Sequence, residues 1–283
     1  MKTLLQLLSI LILFATTAYP QAEDAVKMKG VKINLISEAD AISPNTSFTV
    51  AIHIQHFDGF HTYWKNPGMV GVATKIDWTL PEGFKAGEIQ WQVPERSKML
   101  KYNCHGYKGE TYLLVDIQAG ADIPESFDIE AKVGGMTCSE KSCCFVGFAQ
   151  TKISLNRDTE TKLNSKHHKI IQAARDRIPK LIEKWQSSFQ QTDSEIILAV
   201  HNSEFTKDIP QDLYFYPEQN VYNTETPQEV VITTDNSINV RFQLSVIAEK
   251  NLKSLSGFLY NPKGWSSNDD KYLRVEAKVS AKN

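Results

Sequence analysis

Between residues 31 and 155, apolar and polar residues alternate in short runs. Ser47-Phe-Thr-Val-Ala-Ile-His-Ile sets Phe48, Val50, Ile52 and Ile54 at every second position, the spacing of a strand with one buried face. Ile76-Asp-Trp-Thr-Leu repeats the pattern and stops at Pro81-Glu-Gly, a turn signal. Further strands are predicted over 88–92, 111–117, 127–133 and 148–155. Turn chemistry recurs at Asp58-Gly59, Asn66-Pro67-Gly68 and Lys108-Gly109. Many short strands without intervening helices predict a mainly β chain built on an antiparallel, immunoglobulin-like β-sandwich.

The pattern changes at Asn156. Residues 157–165 are mostly polar and read as a linker. Ile171, Ala174, Ile178, Leu181, Ile182, Trp185 and Phe189 then recur at three- and four-residue steps, predicting an amphipathic helix packed on a sheet. Pro179 inside it should kink or divide it. Strands return at 195–201, 213–216, 230–234, 238–246, 255–260 and 272–279, enough for a second, smaller β-rich domain. The expected organisation is a signal peptide over 1–22, a sandwich domain over 23–156, a linker and helix over 157–190, and the second domain over 191–283.

The leader reading rests on Lys2, the apolar run from Leu4 to Phe14 and the small-residue exit from Thr16 to Ala22. That run is too short for a good membrane span. The expectation is an exported, soluble, periplasmic protein. The formal charge of −2 becomes −3 once Lys2 leaves with the leader. No basic patch stands out, which argues against nucleic acid as a partner. Four cysteines in a chain this long are too few for a disulfide-dense scaffold.

Those cysteines carry the candidate chemistry. Cys138 and Cys143 lie close together in Cys138-Ser-Glu-Lys-Ser-Cys143-Cys144 and are expected to form a disulfide in an oxidising compartment. The loop is short, so the bond stabilises the fold only modestly. A working exchange pair needs exposure and a lowered thiol pKa; Lys141 would favour a thiolate and Glu140 would oppose it. Spacing alone leaves exchange and an ordinary structural bridge level, and four cysteines allow three complete pairings. His61 and Tyr63, in Phe60-His-Thr-Tyr-Trp-Lys-Asn-Pro-Gly, and Tyr107 are candidates for lining or shielding the pair, while Trp64 reads as core. Cys104 and Cys144 are further thiols. A soft metal such as copper held by Cys104, Cys143 and Cys144 is a minority alternative, because the spacing matches no standard zinc pattern. No metal or other cofactor is expected.

The chain resembles the amino-terminal domain of DsbD-type thiol:disulfide interchange proteins, including ScsB-type reductases. The resemblance rests on Phe60-His-Thr-Tyr-Trp-Lys-Asn-Pro-Gly68, Ile76-Asp-Trp-Thr-Leu-Pro-Glu-Gly-Phe84, Ile89-Gln-Trp-Gln-Val-Pro-Glu-Arg96, Gly106-Tyr-Lys-Gly-Glu110 and the cysteines of 138–143. Leu213-Tyr-Phe-Tyr-Pro217 and Leu255-Ser-Gly-Phe-Leu extend it more faintly. It implies an immunoglobulin-like sandwich whose catalytic pair, mapped to Cys138 and Cys143, passes reducing equivalents as a protein-disulfide reductase module. The implied partners are periplasmic thioredoxin-like or disulfide isomerase proteins; in the family a thioredoxin-like domain and a membrane-embedded domain of the same polypeptide recharge the pair, and a separate membrane electron donor is the alternative for this chain. The chain departs from the family pattern at Cys144-Phe145-Val146, where a proline usually follows the second cysteine, at Met69 and at Cys104. A non-enzymatic exported binding module with a structural disulfide is the alternative of a different class.

Overall fold

The structure, a computed structural model, describes residues 26–139, 143–182, 184–204, 212–233, 237–265 and 270–280 of the 283-residue chain. The leader, Glu140 and Lys141 lie outside the described residues. The elements are, in order, β1 (Val26–Met28), β2 (Val31–Ser37), β3 (Ala39–Ile42), β4 (Ser47–His56), β5 (Phe60–Gly68), β6 (Lys75–Thr79) and β7 (Phe84–Ala86). There follow β8 (Glu95–Met99), β9 (Tyr102–Tyr107), β10 (Glu110–Ala119), β11 (Ser126–Ser139), β12 (Cys144–Arg157), β13 (Lys162–Leu163) and the helix α1 (Ser165–Arg175). The remainder is β14 (Gln186–Gln191), β15 (Glu195–His201), β16 (Tyr214–Pro217), β17 (Glu229–Ile232), β18 (Ile238–Gln243), β19 (Ser254–Tyr260) and β20 (Tyr272–Val279).

Two sheets make the immunoglobulin-like sandwich. One runs β1-β2-β4-β10-β7; the other runs β13-β3-β12-β11-β5-β9-β8, with β6 also paired to β11. Their inner faces bury Phe48, Val50, Ile52 and Ile54 against Trp64, Ile129, Ala131 and Val133. Each such side chain contributes roughly 1.5–3 kcal/mol by leaving water. The alternation read along β4 is therefore the alternation of the sandwich core. A third layer covers the opposite face of β2, β4 and β10, where Ile171 and Ala174 of α1 pack on Ile36, Ala51 and Leu114.

The helix is shorter than its apolar stripe predicts. Asn164 caps its start by accepting from the backbone N–H groups of Lys166 and His167. It ends at Arg175 because Pro179 has no N–H to return to the Arg175 carbonyl and its ring would clash there. The last turn tightens instead, with Arg177 and Ile178 bonding three residues back. Phe189 then enters β14 rather than a helix, opposite Leu198, since the apolar spacing beyond Pro179 belongs to a strand. The strands β1, β2, β3, β5, β7, β8, β9, β13 and β14 lie outside the runs the alternation predicts. The predicted strand over 88–92 is reduced to one bridge, Gln90 to Leu114.

The strands from β14 to β20 form a third sheet, β16-β19-β20-β14-β15-β18-β17, over its own core of Phe189, Phe215, Phe242 and Trp265. It leans on the sandwich through Tyr216 and Phe258, whose rings sit 6.4 and 5.9 Å from that of Trp64.

Candidate functional site

The β11–β12 hairpin sets the sulfur chemistry. Its antiparallel register runs unbroken from Ser126 opposite Asn156 to Cys138 opposite Cys144. Directly opposed residues share a face and stand close enough for their side chains to meet. The disulfide accordingly joins Cys138 to Cys144, with Cα atoms 4.0 Å apart, which corrects the expected pairing of Cys138 with Cys143. Cys143 belongs to the turn. Its carbonyl accepts from the Ser139 N–H at 3.1 Å, and its thiol is free and exposed. A shift of one residue along a strand reverses the face, so the two adjacent cysteines have different surroundings.

Strand alternation also explains what surrounds the bond. On β5, Thr62 and Trp64 point into the sandwich, whereas His61 and Tyr63 lie on the outer face, beside Cys138 in the pairing of His61 with Cys138. On β9, Tyr107 and His105 point inward and Cys104 outward. A buried cluster of Tyr63, Cys104 and Cys138 results, edged by Val70, Met99, Met136 and Cys144. The segment after β5 closes over it. Gly71, at φ +107°, runs so near the Tyr63 ring that a Cβ there would lie 2.3 Å from a ring carbon.

The two sulfurs of the bond are unequal. Cys138 is 0% exposed and accepts a hydrogen bond from the Tyr63 hydroxyl at 2.8 Å. The Tyr63 oxygen in turn lies 3.3 Å from His61 Nε2. With the phenol proton directed at sulfur, the imidazole is the donor in that second contact. Burial raises the Tyr63 pKa well above the ordinary phenol range, with Cys104 adding to it, so Tyr63 stays a donor. Cys144 is only half-buried. On its side of β12 stand Val146 and Phe148, 72% and 59% exposed.

Burial pushes the Cys104 thiol up to about 11, against a partial pull from Lys108, which leaves it a poor nucleophile and a poor metal ligand. Among the described residues no three or more His, Cys, Asp or Glu side chains form a group able to hold a metal ion. The set Cys104, Cys143 and Cys144 is also split by the disulfide. Tyr107 does not join the sulfur cluster as expected. Facing inward, it donates to the Gln92 carbonyl at 2.7 Å, because it sits an odd number of residues from Cys104 along β9.

Two buried histidines flank this region. His56 Nδ1 donates to the Gly109 carbonyl and its Nε2 accepts from Thr62 Oγ1, both at 2.8 Å. Burial lowers its pKa to about 4 against the help of that carbonyl, and His61 lowers it further. His105 Nδ1 lies 3.3 Å from the Asn66 carbonyl and its Nε2 2.8 Å from the Tyr214 hydroxyl. Burial holds it at about 4 as well, opposed by the Asn66 carbonyl and aided by Arg96. Beside Cys104, His105 reads from the sequence as a surface or loop residue or a minor candidate for a soft metal; it is instead buried in the core.

The N-terminal periplasmic domain of ScsB from Proteus mirabilis superposes with a TM-score of 0.63 at 16% identity, over 91% of this chain and 98% of that one. At that identity the likeness establishes the fold. The major pilin subunit BcpA of Bacillus cereus matches over 89% of this chain and 68% of its own at 11% identity, but its TM-score of 0.25 carries no argument. No curated protein sequence matches. Among the described residues no helix is long and apolar enough to cross a membrane. Residues 33–155 match the family described as Thiol:disulfide interchange protein DsbD, N-terminal, and this part of the chain is a DsbD-type amino-terminal domain carrying a disulfide between Cys138 and Cys144.

Proposed function

We propose that the protein is a periplasmic thiol-disulfide exchange module working through Cys138 and Cys144. The observation that carries this reading is the inequality of the two sulfurs. A thiolate attacks along the line of the bond it breaks. An incoming partner thiolate therefore meets half-buried Cys144, and the bonding pair departs onto buried Cys138. A mixed disulfide forms between the partner and Cys144. The Tyr63 hydroxyl already points at the departing sulfur and stabilises the thiolate; hydrogen bonds to charged groups are worth about 1.5–3 kcal/mol. In the reverse direction the Cys144 thiolate attacks a partner disulfide, and Cys138 resolves the adduct.

The leader sequence and the periplasmic setting of the ScsB domain support the compartment. Val146 and Phe148 beside Cys144 offer apolar ground for a thioredoxin-like or isomerase partner. Residues 23–156 make up the exchange domain in this reading, and 191–283 a second β-rich domain. A reduction-potential titration tests it. A structural bridge sits below about −300 mV, and an exchanging pair well above it. Trapping in a Cys143→Ser background gives the second arm. Cys138→Ala, which leaves Cys144 unable to be resolved, should accumulate mixed disulfides in the native compartment, whereas Cys144→Ala should not. A potential below that limit together with no trapped adduct rejects the reading in favour of a structural bridge.

A further inference from the structure

Strand β5 is held at both ends by different parts of the molecule. Its first half pairs with β11 at Cys138 and carries Tyr63 to the buried sulfur. Its second half is gripped by the region beyond residue 212. The Asn66 side-chain amide donates to the carbonyls of Pro217 and Gln219, both at 2.7 Å, and Asn66 is 2% exposed. The Asn66 carbonyl faces His105, whose other nitrogen reaches the Tyr214 hydroxyl. At Gly68, φ +91°, the Thr224 methyl lies 2.6 Å from where a Cβ would stand. Trp64 between them packs on Tyr216 and Phe258.

Resting on the exchange reading above, we infer that the second β-rich region is the positioning half of the redox site. By clamping Asn66 it fixes the part of β5 that aims the Tyr63 hydroxyl at Cys138. Asn66 touches no sulfur and acts through Tyr63, three residues away on the same strand. An Asn at this place is suited to the task, since one primary amide supplies two donors and so ties two separate backbone carbonyls to one side chain. The thiolate that leaves on Cys138 is stabilised only if the phenol is held in place as charge develops, which is how a preorganised donor assists a reaction.

The test is the rate at which dithiothreitol reduces the disulfide, measured over a range of pH in a Cys143→Ser background so that the exposed thiol does not interfere. Tyr63→Phe removes the donor and should slow reduction roughly tenfold. Asn66→Ala should slow it several-fold, and in the Tyr63→Phe background it should slow it by no more than about twofold, because effects passing through one contact do not add. Thr224→Ser keeps the hydroxyl that donates to the Asn103 carbonyl at 2.8 Å. It removes only the methyl against Gly68, and should shift the rate in the same direction to a smaller extent. It decides the matter should Asn66→Ala fail to fold. An unchanged rate, a faster rate, or slowing that adds fully to that of Tyr63→Phe overturns the inference, as does a loss of thermal stability with no change in rate. These rates are read on the sulfur pair itself. They therefore stand apart from the potential and the trapping that test the exchange reading.

Discussion

The two faces of β5 and β9 use neighbouring residues for opposite ends. On the inner face Trp64, His105 and Tyr107 are sealed into the sandwich and against the C-terminal sheet. On the outer face His61, Tyr63 and Cys104 surround a bond whose far sulfur reaches the surface. Every inner residue is next in sequence to an outer one or to a glycine. The lesson is that residue type and proximity along the chain do not assign a role here; the parity of the position does. Tyr63 and Tyr107 are both buried tyrosines, yet one donates to sulfur and the other to a backbone carbonyl.

The sharpest challenge to this contrast lies in the cysteines. Cys144→Ser should abolish thiol exchange at the site, while Cys143→Ser should leave the disulfide intact, as peptide mapping of the non-reduced protein would read. A bond found at Cys143 would mean that the hairpin register given above is wrong. Next in size, Trp64→Ala removes the largest inner side chain and should cost about 3–5 kcal/mol in denaturant unfolding. Tyr63→Phe deletes one hydroxyl on the outer face and should cost about 1 kcal/mol. If the outer variant proved the more destabilising, the division of labour between faces would not hold.

Acid provides a third probe. His56 and His105 have folded pKa values near 4, below the ordinary 6.5, so between those values the unfolded chain binds more protons. Stability is then complete above about pH 6.5 and is lost as pH falls towards 4. Melting temperature should decline across that window, and His105→Gln should flatten part of the decline. The mildest variant is at the helix start, where Asn164→Ala should also remove about 1 kcal/mol of stability but leave the exchange rate unchanged.

Much of the sandwich was legible because its strands alternate cleanly. Phe48, Val50, Ile52 and Ile54 lie inward as their spacing requires, and Asp58-Gly59 and Lys108-Gly109 turn the chain with glycines at positive φ. Strand β5 was harder, since Asn66-Pro67-Gly68 reads as a turn and is the irregular end of a strand. The stripe from Ile171 to Phe189 misled because a helix, a proline break and a strand happened to keep compatible spacings. His61 and Tyr63 stand by the sulfur, whereas Tyr107 faces the sandwich core.

The amino-acid order by itself determined which face the cleanly alternating strands such as β4 bury, where Gly59 and Gly109 turn the chain, that Pro179 interrupts the apolar stripe after α1, and that all four cysteines lie between residues 104 and 144. Those are local matters of period, propensity and backbone freedom. Which cysteine Cys138 meets, which tyrosine reaches it and what holds that tyrosine in place were decided only in three dimensions. Cross-strand register, the cover laid by Gly71 and the grip on Asn66 from more than 150 positions downstream depend on contacts between segments that no neighbouring residue can announce.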